Sequence, residues 1–471
     1  MDKPFIHLVK TINAHYVFDV NRNEVIEVDE DVYHALDGIL RSSGNNIILP
    51  QIVTDKIENL KSARYLSSRT VDEVEHESTN ILEYLLDRKV SKMTLQLTQN
   101  CNLRCTYCTY TELNNEKQRC HSEKRMTYET AIQALKFLMD HSIDNETINI
   151  GLYGGEPTLE FNLIKNIVEH IKKEYIGKKV SYSLTTNATI LSDEMIEYFV
   201  NNNFYLTISI DGPKKINDIH RRFKATGKGT FDTIVETLIR IKKKYPEYFK
   251  TMSISMVIDP QNDYDDINSL FKDCPIFQSI MVHSTIVDDI YSLEKNIPSK
   301  SFVETRSYNI FLAFLKIFNI IDNLSARPIA EENITKILDS KSKRKSRIEL
   351  PKKAAPGGPC IPGQLRLFVD IDGNYYPCER VSETSEVMRI GNLKTGFDLG
   401  KCRDILNIGA LTAEKCKNCW VFASCNLCAK HADNGNELSG DLKCSHCNES
   451  IANAEYELLN AILFDEIKKY Y

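Results

Sequence analysis

The chain has 471 residues, of which 42% are hydrophobic and 26% charged, a composition that supports a packed core and excludes a disordered chain. Its net charge of −6 argues against a general nucleic-acid binder, and we expect no nucleic-acid partner. The sequence lacks both a membrane-spanning apolar run and a signal peptide, so we expect a cytoplasmic protein without a membrane partner.

The cysteines are numerous and unevenly distributed. The chain has 14 of them, and in a reducing cytosol such cysteines more often bind metal or do redox chemistry than form disulfides. Cys120, Cys274 and Cys402 stand alone, and the sequence assigns no role to the first two. The others form one early and one late group: Cys101, Cys105 and Cys108, then Cys360, Cys378, Cys416, Cys419, Cys425, Cys428, Cys444 and Cys447.

Residues 1–88 are predicted to form a small α/β domain. Apolar and polar residues alternate in three segments, as in half-buried strands. A helix is expected from Asp29 or Asp31 to about Leu40, and a shorter one over Asn80–Asp87. The three predicted strands are Phe5–Val9, His15–Val20 and Glu24–Val28.

Residues 89–300 alternate between predicted strands and helices. This order implies parallel strands with right-handed crossovers, in either an incomplete βα barrel or an open doubly wound sheet. The predicted strands are Met93–Thr98, Thr147–Tyr153, Val180–Thr185, Phe204–Ile210, Thr251–Ile258 and Ser279–Thr285. The predicted helices are Tyr128–Met139, Leu159–Tyr175, Asp193–Asn201, Thr230–Tyr245 and Asp263–Phe271. In a barrel, the chemistry belongs at the C-terminal ends of the strands.

Residues 301–354 are expected to form a helical linker region. Ser301–Leu324 is an apolar stretch at helical spacing and predicts a packing helix. The basic segment Lys341–Lys353 and the Pro- and Gly-rich Ala354–Pro359 predict a solvated loop and linker, which marks the boundary to a C-terminal domain at residues 355–471.

The early cysteines have the spacing C-x3-C-x2-C directly after a predicted strand. Three thiolates are one short of closing a tetrahedral zinc site or a four-iron cluster. They suit three corners of a cubane, which leaves the fourth iron open to a ligand with an amine and a carboxylate, such as S-adenosylmethionine. The alternative is a zinc knuckle with Cys120 as the fourth ligand.

With Gly154-Gly155-Glu156-Pro157 after the second strand, the chain resembles the radical S-adenosylmethionine (radical SAM) enzymes. Thr185-Thr186-Asn187 and Ser209-Ile-Asp211-Gly-Pro extend the resemblance at the ends of strands three and four. It implies a [4Fe-4S] cluster on Cys101, Cys105 and Cys108 and a 5′-deoxyadenosyl radical as the reactive species. It also implies that the cofactor is held by Tyr107, Gly154, Gly155, Glu156, Asn187, Ser209 and Arg221. The family usually has His where this chain has Asn217, and that position receives no role.

The late cysteines resemble the SPASM domain, which binds two auxiliary four-iron clusters. The family's block is C-x2-C-x5-C-x3-C, and in this chain the last gap is x2. The first auxiliary cluster is assigned Cys360, Cys378 and Cys428, and the second Cys416, Cys419, Cys425 and Cys447, with Cys444 as the alternative to Cys447. A zinc ribbon is the competing interpretation, but it leaves Cys360, Cys378, Cys444 and Cys447 unexplained.

The first auxiliary set lacks a cysteine that sulfatase-maturing relatives carry, because residues 361–377 contain none. One iron is then either open to a substrate thiolate or held by Cys402 or Cys444. Glu379 follows Cys378 where those relatives place an aspartate base, and it is the candidate catalytic base, with an exposed surface carboxylate as the alternative.

The resemblance extends to residues 1–88, which are similar to the winged-helix-like leader-peptide recognition element of peptide-modifying enzymes. There an extended leader adds a strand to a sheet edge, here beside Glu24–Val28. A purely structural domain is the alternative. The overall expectation is an α/β protein: a partial (β/α)6 TIM-type barrel with a small N-terminal α/β domain and a C-terminal iron–sulfur SPASM domain.

The expected function is the maturation of a ribosomally made, Cys-rich precursor peptide by thioether crosslinking, as in sactipeptide and ranthipeptide maturases. The expected cofactors are S-adenosylmethionine and three [4Fe-4S] clusters, and the expected partners are the precursor peptide and a reductase or a flavodoxin- or ferredoxin-type electron donor. The alternatives are a sulfatase-maturing or other SPASM oxidase and, outside enzymes, a zinc- or iron-binding interaction module. The sequence leaves open the precursor, the carbon attacked and the oligomeric state.

Overall fold

The computed structural model describes residues 2–42, 48–111, 118–321 and 328–470. Within these ranges the strands are β1 (Ile6–Lys10), β2 (His15–Asp19), β3 (Glu24–Val28), β4 (Glu73–Val74), β5 (Lys92–Thr98), β6 (Thr147–Gly154), β7 (Lys179–Thr186), β8 (Phe204–Ser209), β9 (Ser253–Ile258), β10 (Met281–Ile286), β11 (Lys353–Ala354), β12 (Leu367–Val369), β13 (Asn374–Tyr376), β14 (Gly391–Asn392) and β15 (Gly396–Phe397).

The helices of the same ranges are α1 (Glu30–Arg41), α2 (Gln51–Ser62), α3 (Leu82–Arg88), α4 (Tyr128–Asp140), α5 (Phe161–Glu174), α6 (Asp193–Asn201), α7 (Lys214–His220), α8 (Phe231–Lys244), α9 (Pro246–Phe249), α10 (Tyr264–Asp273), α11 (Lys300–Ile317), α12 (Pro328–Lys343), α13 (Leu399–Leu406), α14 (Ala413–Lys417), α15 (Gly440–Ser445) and α16 (Cys447–Tyr470). None of the described helices is both long and apolar enough to cross a membrane.

The main sheet is built from β5 to β10, which are parallel and lie side by side in chain order. A doubly wound sheet would reverse its strand order partway, so this monotonic order confirms the partial barrel. The outward face of the strands is apolar, for example at Ile148, Leu184 and Ile254, and packs against the helices. The opposite face carries polar side chains such as Asn149 and Ser183, which hydrogen-bond to each other across strands at 3.0 Å.

The helices follow from local capping and from apolar spacing. Thr127 begins α4 and Ser192 begins α6, because each side chain accepts a hydrogen bond from the backbone N–H three residues later. In α5 the buried residues Ile164, Ile167 and Ile171 recur at helical spacing and face the sheet. These contacts fix the strands, and with them the loops that leave the strands' C-terminal ends.

The C-terminal region extends this same sheet. β12 pairs in parallel with β5, with Leu367 opposite Met93, and the antiparallel strands β13, β14 and β15 continue from it. Because β13 is antiparallel to β12 and β12 is parallel to β5, the chain leaves β13 at the end of the sheet where β5 begins. The hairpin between β12 and β13 lies at the end of the sheet where the early cysteines follow β5.

The N-terminal strands form a separate antiparallel sheet in the order β1-β2-β3. One face, including Val17, packs on α1 and α2. The other face, including Val9 and Phe18, packs on Leu458 and Ile462 of α16. The domain is thus held against the C-terminal region. Helix α2 was absent from the expected elements.

The segment expected to be a solvated linker differs from that expectation. Helix α11 ends at Ile317, and part of the predicted Ser301–Leu324 helix lies outside the described residues. α12 begins at Pro328, and the basic segment behind it is engaged with the N-terminal domain. The guanidinium of Arg344 lies over the ring of Phe18, 5.3 Å from the ring centroid, as in a cation–π contact. Leu350 is 1% exposed.

Candidate active site

The early cysteines lie in the loop that follows β5, and residues 220–224 after α7 hold this loop in place. The backbone N–H of Arg104 donates to the carbonyl of Arg222, and that of Lys224 donates to Asn102, both at 2.8 Å. Leu103 pairs with Phe223 in an isolated β-bridge between the two segments. The loop conformation that carries the thiols is therefore fixed by backbone contacts.

Cys101 and Cys105 are 8% and 9% exposed, and Cys108 is half-buried. Burial and the nearby Glu156 carboxylate raise the pKa of Cys101 to about 12, and burial raises the pKa of Cys105 to about 12 although Arg221 opposes the rise. Buried thiols of this kind lose their protons when a metal binds, because the cation replaces the missing solvation of the thiolate. Three such thiols suit a cationic cluster.

The Gly154-Gly155-Glu156 segment lies directly against this loop. The N–H groups of Gly155 and Glu156 donate to the carbonyls of Thr98 and Asn100, both at 2.9 Å. A Cβ on Gly155 would stand 2.2 Å from the carbonyl oxygen of Asn100, so any other residue would displace the loop. These glycines permit a close approach to protein backbone, and their role in holding the cofactor stays a prediction.

Glu156 is buried at the centre of a hydrogen-bond network. Its carboxylate accepts from the N–H and hydroxyl of Thr158, from the Thr186 hydroxyl at 2.7 Å and from the Asn187 N–H at 2.8 Å. Glu156 therefore ties the end of β6 to the end of β7. Asn187 in turn donates from Nδ2 to Asn102 at 2.9 Å, and the same nitrogen lies 3.9 Å from the Cys101 sulfur.

Tyr107, Asp211 and Arg221 meet beside the cysteine loop. The Tyr107 hydroxyl donates to Asp211 at 2.5 Å and accepts from Arg221 Nη1 at 2.8 Å. Arg221 Nε is buried and has no hydrogen-bond partner among the described residues. An orphaned guanidinium donor next to three thiols fits a cofactor that carries a carboxylate. Ser209 ends β8 two residues before Asp211.

Two residues without a predicted role hold the side chains of Tyr107, Asp211 and Arg221 and the cysteine loop in position. Asn217 is fully buried, accepts from the Asp211 N–H at 3.3 Å and donates to the Thr230 hydroxyl at 3.1 Å. His220 bridges Thr106 in the cysteine loop, at 2.7 Å, and Asp259 after β9, at 3.1 Å. The family-like block around these residues had suggested the region, but these contacts became visible only in the fold.

Cys360, Cys378 and Cys428 form one late group. The pKa of Cys428 is raised by burial and by the neighbouring thiols of Cys378 and Cys360. The Pro- and Gly-rich stretch expected to be a linker packs closely here: the N–H of Gly357 donates to the carbonyl of Phe422 at 3.0 Å, and a Cβ on Gly358 would stand 2.1 Å from the carbonyl oxygen of Leu427. Because Gly358 lies two residues before Cys360 and Leu427 directly before Cys428, this contact places the two cysteines near each other.

Glu379 lies beside this group, but its carboxylate forms an ion pair with Arg366. Arg366 also faces the thiols of Cys378 and Cys360. A carboxylate paired with a guanidinium is a weaker base than a free one, since the cation stabilises its charged form. The base role of Glu379 remains a prediction.

Cys402 and Cys444, the two candidates for a fourth ligand of the first auxiliary cluster, have contacts of a different kind. Cys402 is fully buried within the main hydrophobic core, and burial raises its pKa to about 12. Cys444 lies beside Cys447, and the two thiols are hydrogen-bonded. The contacts of Cys402 are those of a core residue, and those of Cys444 place it at the edge of the second late group.

The second late group surrounds one small cavity. Cys416, Cys419, Cys425 and Cys447 all line it, together with Pro356, Phe422, Lys443 and Ser450. Lys443 is 1% exposed, and its Nζ lies 2.8 Å from the Thr412 hydroxyl and 3.7 Å from the Cys416 sulfur. The cavity therefore holds four thiols and a buried cation, and the sequence offered no signal for the lysine.

The spacing of the sulfurs bears on the zinc alternatives. With Zn–S bonds of about 2.3 Å, the thiolates of a tetrahedral zinc site lie about 3.8 Å apart. Among the described residues, the one set of three metal-ligating atoms within 4.8 Å of one another is His15, Glu30 and His34 on the N-terminal domain. No trio of cysteines is that close, so the arrangement favours a larger group than a single ion.

Comparison with known proteins supports this interpretation. Residues 95–274 match the Radical SAM superfamily. A cysteine-type anaerobic sulfatase-maturating enzyme of Clostridium perfringens is 26% identical over 339 residues, covering 69% of this chain and 84% of that protein. An uncharacterized protein of Methanocaldococcus jannaschii is 37% identical over 142 residues, covering 30% of this chain and 46% of that protein. The solved structure described as native anSMEcpe with bound AdoMet and Cp18Cys peptide superposes with a TM-score of 0.58 at 22% identity, over 80% of this chain and 99% of that chain.

The protein is therefore a radical SAM enzyme with a fold like that of a sulfatase maturase. Its cofactors are S-adenosylmethionine and a radical-generating [4Fe-4S] cluster. The prediction of an enzyme is confirmed, and the non-catalytic interaction module is excluded. Cys101, Cys105 and Cys108 would hold the cluster, and the orphaned Arg221 with Tyr107 would meet the cofactor carboxylate.

Proposed function

We propose that this enzyme forms thioether crosslinks in a Cys-rich, ribosomally synthesised precursor peptide. The observation that carries the proposal is the first late cysteine group. Cys360, Cys378 and Cys428 are three thiols, Cys402 is a core residue, and Cys444 contacts Cys447. Because a four-iron cluster has four corners, three protein ligands leave one iron for a substrate sulfur.

The two auxiliary clusters belong to this proposal. Cys360, Cys378 and Cys428 are assigned to the first, and Cys416, Cys419, Cys425 and Cys447 to the second. When bound, the cofactors supply a 5′-deoxyadenosyl radical and an acceptor for the electron released on bond formation. Each crosslink removes one hydrogen atom from carbon and one proton from the cysteine thiol of the peptide. Reducing equivalents come from a reductase or a flavodoxin- or ferredoxin-type donor.

The side chains around the first group suit the handling of a thiol. Arg366 faces Cys378 and Cys360, and a cation there stabilises a substrate thiolate. Glu379 pairs with Arg366 and is positioned to orient that guanidinium, or to take the thiol proton when the pair opens. The exposure of Cys360 supports entry of a peptide from solvent at this side.

The leader of the precursor is proposed to bind the N-terminal domain. Among the residues that the structure describes, β3 has a strand partner on one side only, β2, so its other edge offers backbone groups to an extended segment. Lys469 of α16 pairs with Glu27 of β3, which sets this edge near the C-terminal helix. The domain lies against the region of the auxiliary cysteines, so a leader bound there is tethered close to the site.

A second candidate is a sulfatase-maturing type of oxidation, in which a substrate cysteine is oxidised without a crosslink. It is favoured by the similarity to the sulfatase-maturating enzyme over 84% of that protein's length. Both functions share the radical site and a peptide substrate. They differ in whether the sulfur stays in the product.

The test is anaerobic co-expression with a Cys-rich peptide encoded beside the enzyme, followed by mass spectrometry. Thioether formation is expected to remove two hydrogen atoms per crosslink and to leave the cysteine resistant to alkylation after reduction. An oxidised cysteine without a crosslink would support the second candidate and contradict the first. A leaderless version of the peptide is the matched control, and we expect it to be modified at least about tenfold more slowly because tethering raises the local concentration.

The open iron is tested by spectroscopy of the reduced enzyme with and without peptide. We expect the signal of the first auxiliary cluster to change when a peptide cysteine is present and to stay unchanged with a Cys→Ser peptide. Four protein ligands on both auxiliary clusters throughout turnover would contradict substrate-sulfur ligation. Cys402→Ala provides the control, since its sulfur lies in the hydrophobic core.

A further inference from the structure

A largely buried ion pair joins the radical SAM part of the chain to the auxiliary part. Arg119 and Glu383 have side chains 0% and 9% exposed, and Arg119 Nε donates to Glu383 Oε1. The guanidinium also lies over the ring of Phe368, 4.8 Å from its centroid. The two residues are 264 positions apart in the chain, so this contact exists only in the folded protein.

Backbone hydrogen bonds repeat the same connection. The N–H of Glu383 donates to the carbonyl of Gln118 at 2.9 Å. The side chain of Gln118 donates to the carbonyl of Arg380 at 3.1 Å, and Arg119 Nη2 donates to that of Val381 at 3.4 Å. Residues 118–119 and 380–383 are thus bound to each other through both backbone and side chains.

A glutamine on the central sheet completes the connection. Gln96 of β5 is fully buried, donates from Nε2 to Glu383 Oε1 at 2.6 Å and accepts from the N–H of Ile371 at 3.2 Å. Its Nε2 also donates to the Tyr110 hydroxyl at 2.9 Å. From β5, the strand that leads to the early cysteines, Gln96 therefore contacts the loop that carries them and the hairpin that leads to Cys378.

Arg119 lies near an early cysteine, and Glu383 belongs to the segment that follows a late one. Burial raises the pKa of Cys108, and the guanidinium groups of Arg221 and Arg119 oppose that rise, which places Arg119 near this thiol. Glu383 lies five positions after Cys378. Tyr153 on β6 faces Arg119, Cys108 and Glu383, and it also lies near Arg366 beside Cys378 and Cys360.

We propose that Arg119 and Glu383 are positioning residues that fix the first auxiliary cysteine group relative to the radical site. The inference rests on the proposed function, because the two sites must present a carbon and a sulfur of one peptide to each other. Arg119 and Glu383 are not proposed to contact the reacting carbon or the reacting sulfur. They act through the two segments that they hold together.

The physical basis is the directionality of a buried, hydrogen-bonded pair. A guanidinium and a carboxylate in a dry interior allow few relative orientations, because every misaligned donor is left without solvent. A hydrophobic pair of similar volume keeps the packing without that constraint. Reaction between two bound groups falls steeply when their separation changes by about 1 Å.

The test replaces both partners at once, as Arg119→Met with Glu383→Leu, which avoids leaving a single buried charge. Purified holoenzyme is assayed for 5′-deoxyadenosine released and for peptide crosslinks formed. We expect cofactor cleavage to stay within about twofold of wild type, while the 5′-deoxyadenosine released per crosslink rises at least about tenfold. The control replaces the more exposed pair Arg88 and Asp144, as Arg88→Gln with Asp144→Asn, and is expected to leave that ratio unchanged.

An unchanged ratio in a folded, iron-loaded double variant would overturn the inference. Loss of cofactor cleavage with an intact radical cluster would also overturn it, since it would place the pair in the cofactor site. A second readout is independent of the peptide. The distribution of the magnetic coupling between the reduced radical SAM cluster and the reduced first auxiliary cluster, measured by pulsed EPR, is expected to become broader in the double variant. If wild type crosslinks no peptide, the proposed function fails. In that case the positioning role is tested by the coupling between the two clusters, and a coupling in the double variant identical to that of wild type would refute it.

Discussion

The imidazole of His7 lies flat against the indole of Trp420, with ring centroids 3.8 Å apart and an interplanar angle of 5°. His7 is on β1 of the N-terminal sheet, and Trp420 directly follows Cys419 of the second late group. The same imidazole hydrogen-bonds to Glu455 of α16. One side chain thus joins the proposed leader-binding domain to the helix and the loop that carry the auxiliary cysteines.

We predict that His7→Ala loosens this contact. An aromatic pair contributes about 0.5–1.5 kcal/mol beyond its buried area, so the free energy of docking the domain falls by about 1–2 kcal/mol when the hydrogen bond is lost as well. Trp420 is the chain's only tryptophan. Its emission is therefore expected to change in intensity in the variant, and the thermal transition of the N-terminal domain is expected to move to lower temperature.

His34→Ala is the matched control for this experiment. His34 is on α1 of the same domain, its side chain is 59% exposed, and its partner Glu30 is on the same helix at 3.6 Å. We expect neither the emission nor the thermal transition to change. Identical spectra for wild type and His7→Ala would show that the stacked pair does not hold the domain.

The sequence predicted the parts of the site whose signals are local. The C-x3-C-x2-C spacing and the residues at the ends of β5 to β8 place Cys101, Glu156, Asn187 and Asp211 at one end of a parallel sheet, because the C-terminal ends of parallel strands meet there. The six central strands were predicted within a few residues, since alternating apolar patterns mark buried strands directly. The crossover rule left a barrel and a doubly wound sheet open, the family resemblance favoured the barrel, and the observed strand order confirms it.

The contacts between distant segments were not predictable in this way. Arg119 and Glu383 look like ordinary charged residues in the sequence, and only the pairing of β12 with β5 buries them together. Gly357 and Gly358 read as linker residues, whereas their missing side chains permit close packing on the segment before Cys428. Composition alone gives no sign of either role, because both depend on what a second segment places beside them.

A dependence on pH is expected from His121. Burial and the nearby Arg104 lower the pKa of its imidazole to about 4 in the folded protein. Since an unfolded histidine titrates near 6.5, the unfolded state gains a proton that the folded state does not as the pH falls from 6.5 to 4. Stability is therefore expected to fall over that interval and to be insensitive to this group above it.

The measurement compares the apparent melting temperature of wild type and His121→Gln at pH 7.5 and 5.5. We expect wild type to lose about 1–3 °C more than the variant between the two conditions. His170→Gln, which alters an imidazole at the surface beside Tyr128, is the control and should follow wild type. Equal losses in wild type and His121→Gln would contradict a neutral, half-buried imidazole at His121.

The division of the late cysteines predicts the iron content of single variants. With three four-iron clusters we expect about twelve irons per chain. Cys378→Ala is expected to lose about four of them, whereas Cys402→Ala is expected to retain the full content, because its thiol packs in the hydrophobic core. Anaerobic iron and sulfide analysis after reconstitution makes the comparison. Loss of about four irons from Cys402→Ala would make that residue a ligand.

Cys444 and Cys447 are separated by the same analysis. Cys447 lines the cavity with Cys416, Cys419 and Cys425, and Cys444 lies beside it. We therefore expect Cys447→Ala to lose the second auxiliary cluster and Cys444→Ala to keep it. The reverse result would reassign the fourth ligand to Cys444.

The charge of Lys443 is expected to raise the reduction potential of the second auxiliary cluster. Its ammonium lies 3.7 Å from the Cys416 sulfur and is almost wholly buried. A cation close to a cluster stabilises the reduced form, which carries the extra negative charge. Lys443→Met is therefore expected to lower the potential of that cluster by about 50 mV, measured by EPR-monitored redox titration. Lys443→Arg keeps a positive charge at this position and is expected to have a potential closer to that of wild type than Lys443→Met has. A potential that falls equally in both variants would mean that packing around Thr412, rather than the charge, sets its value.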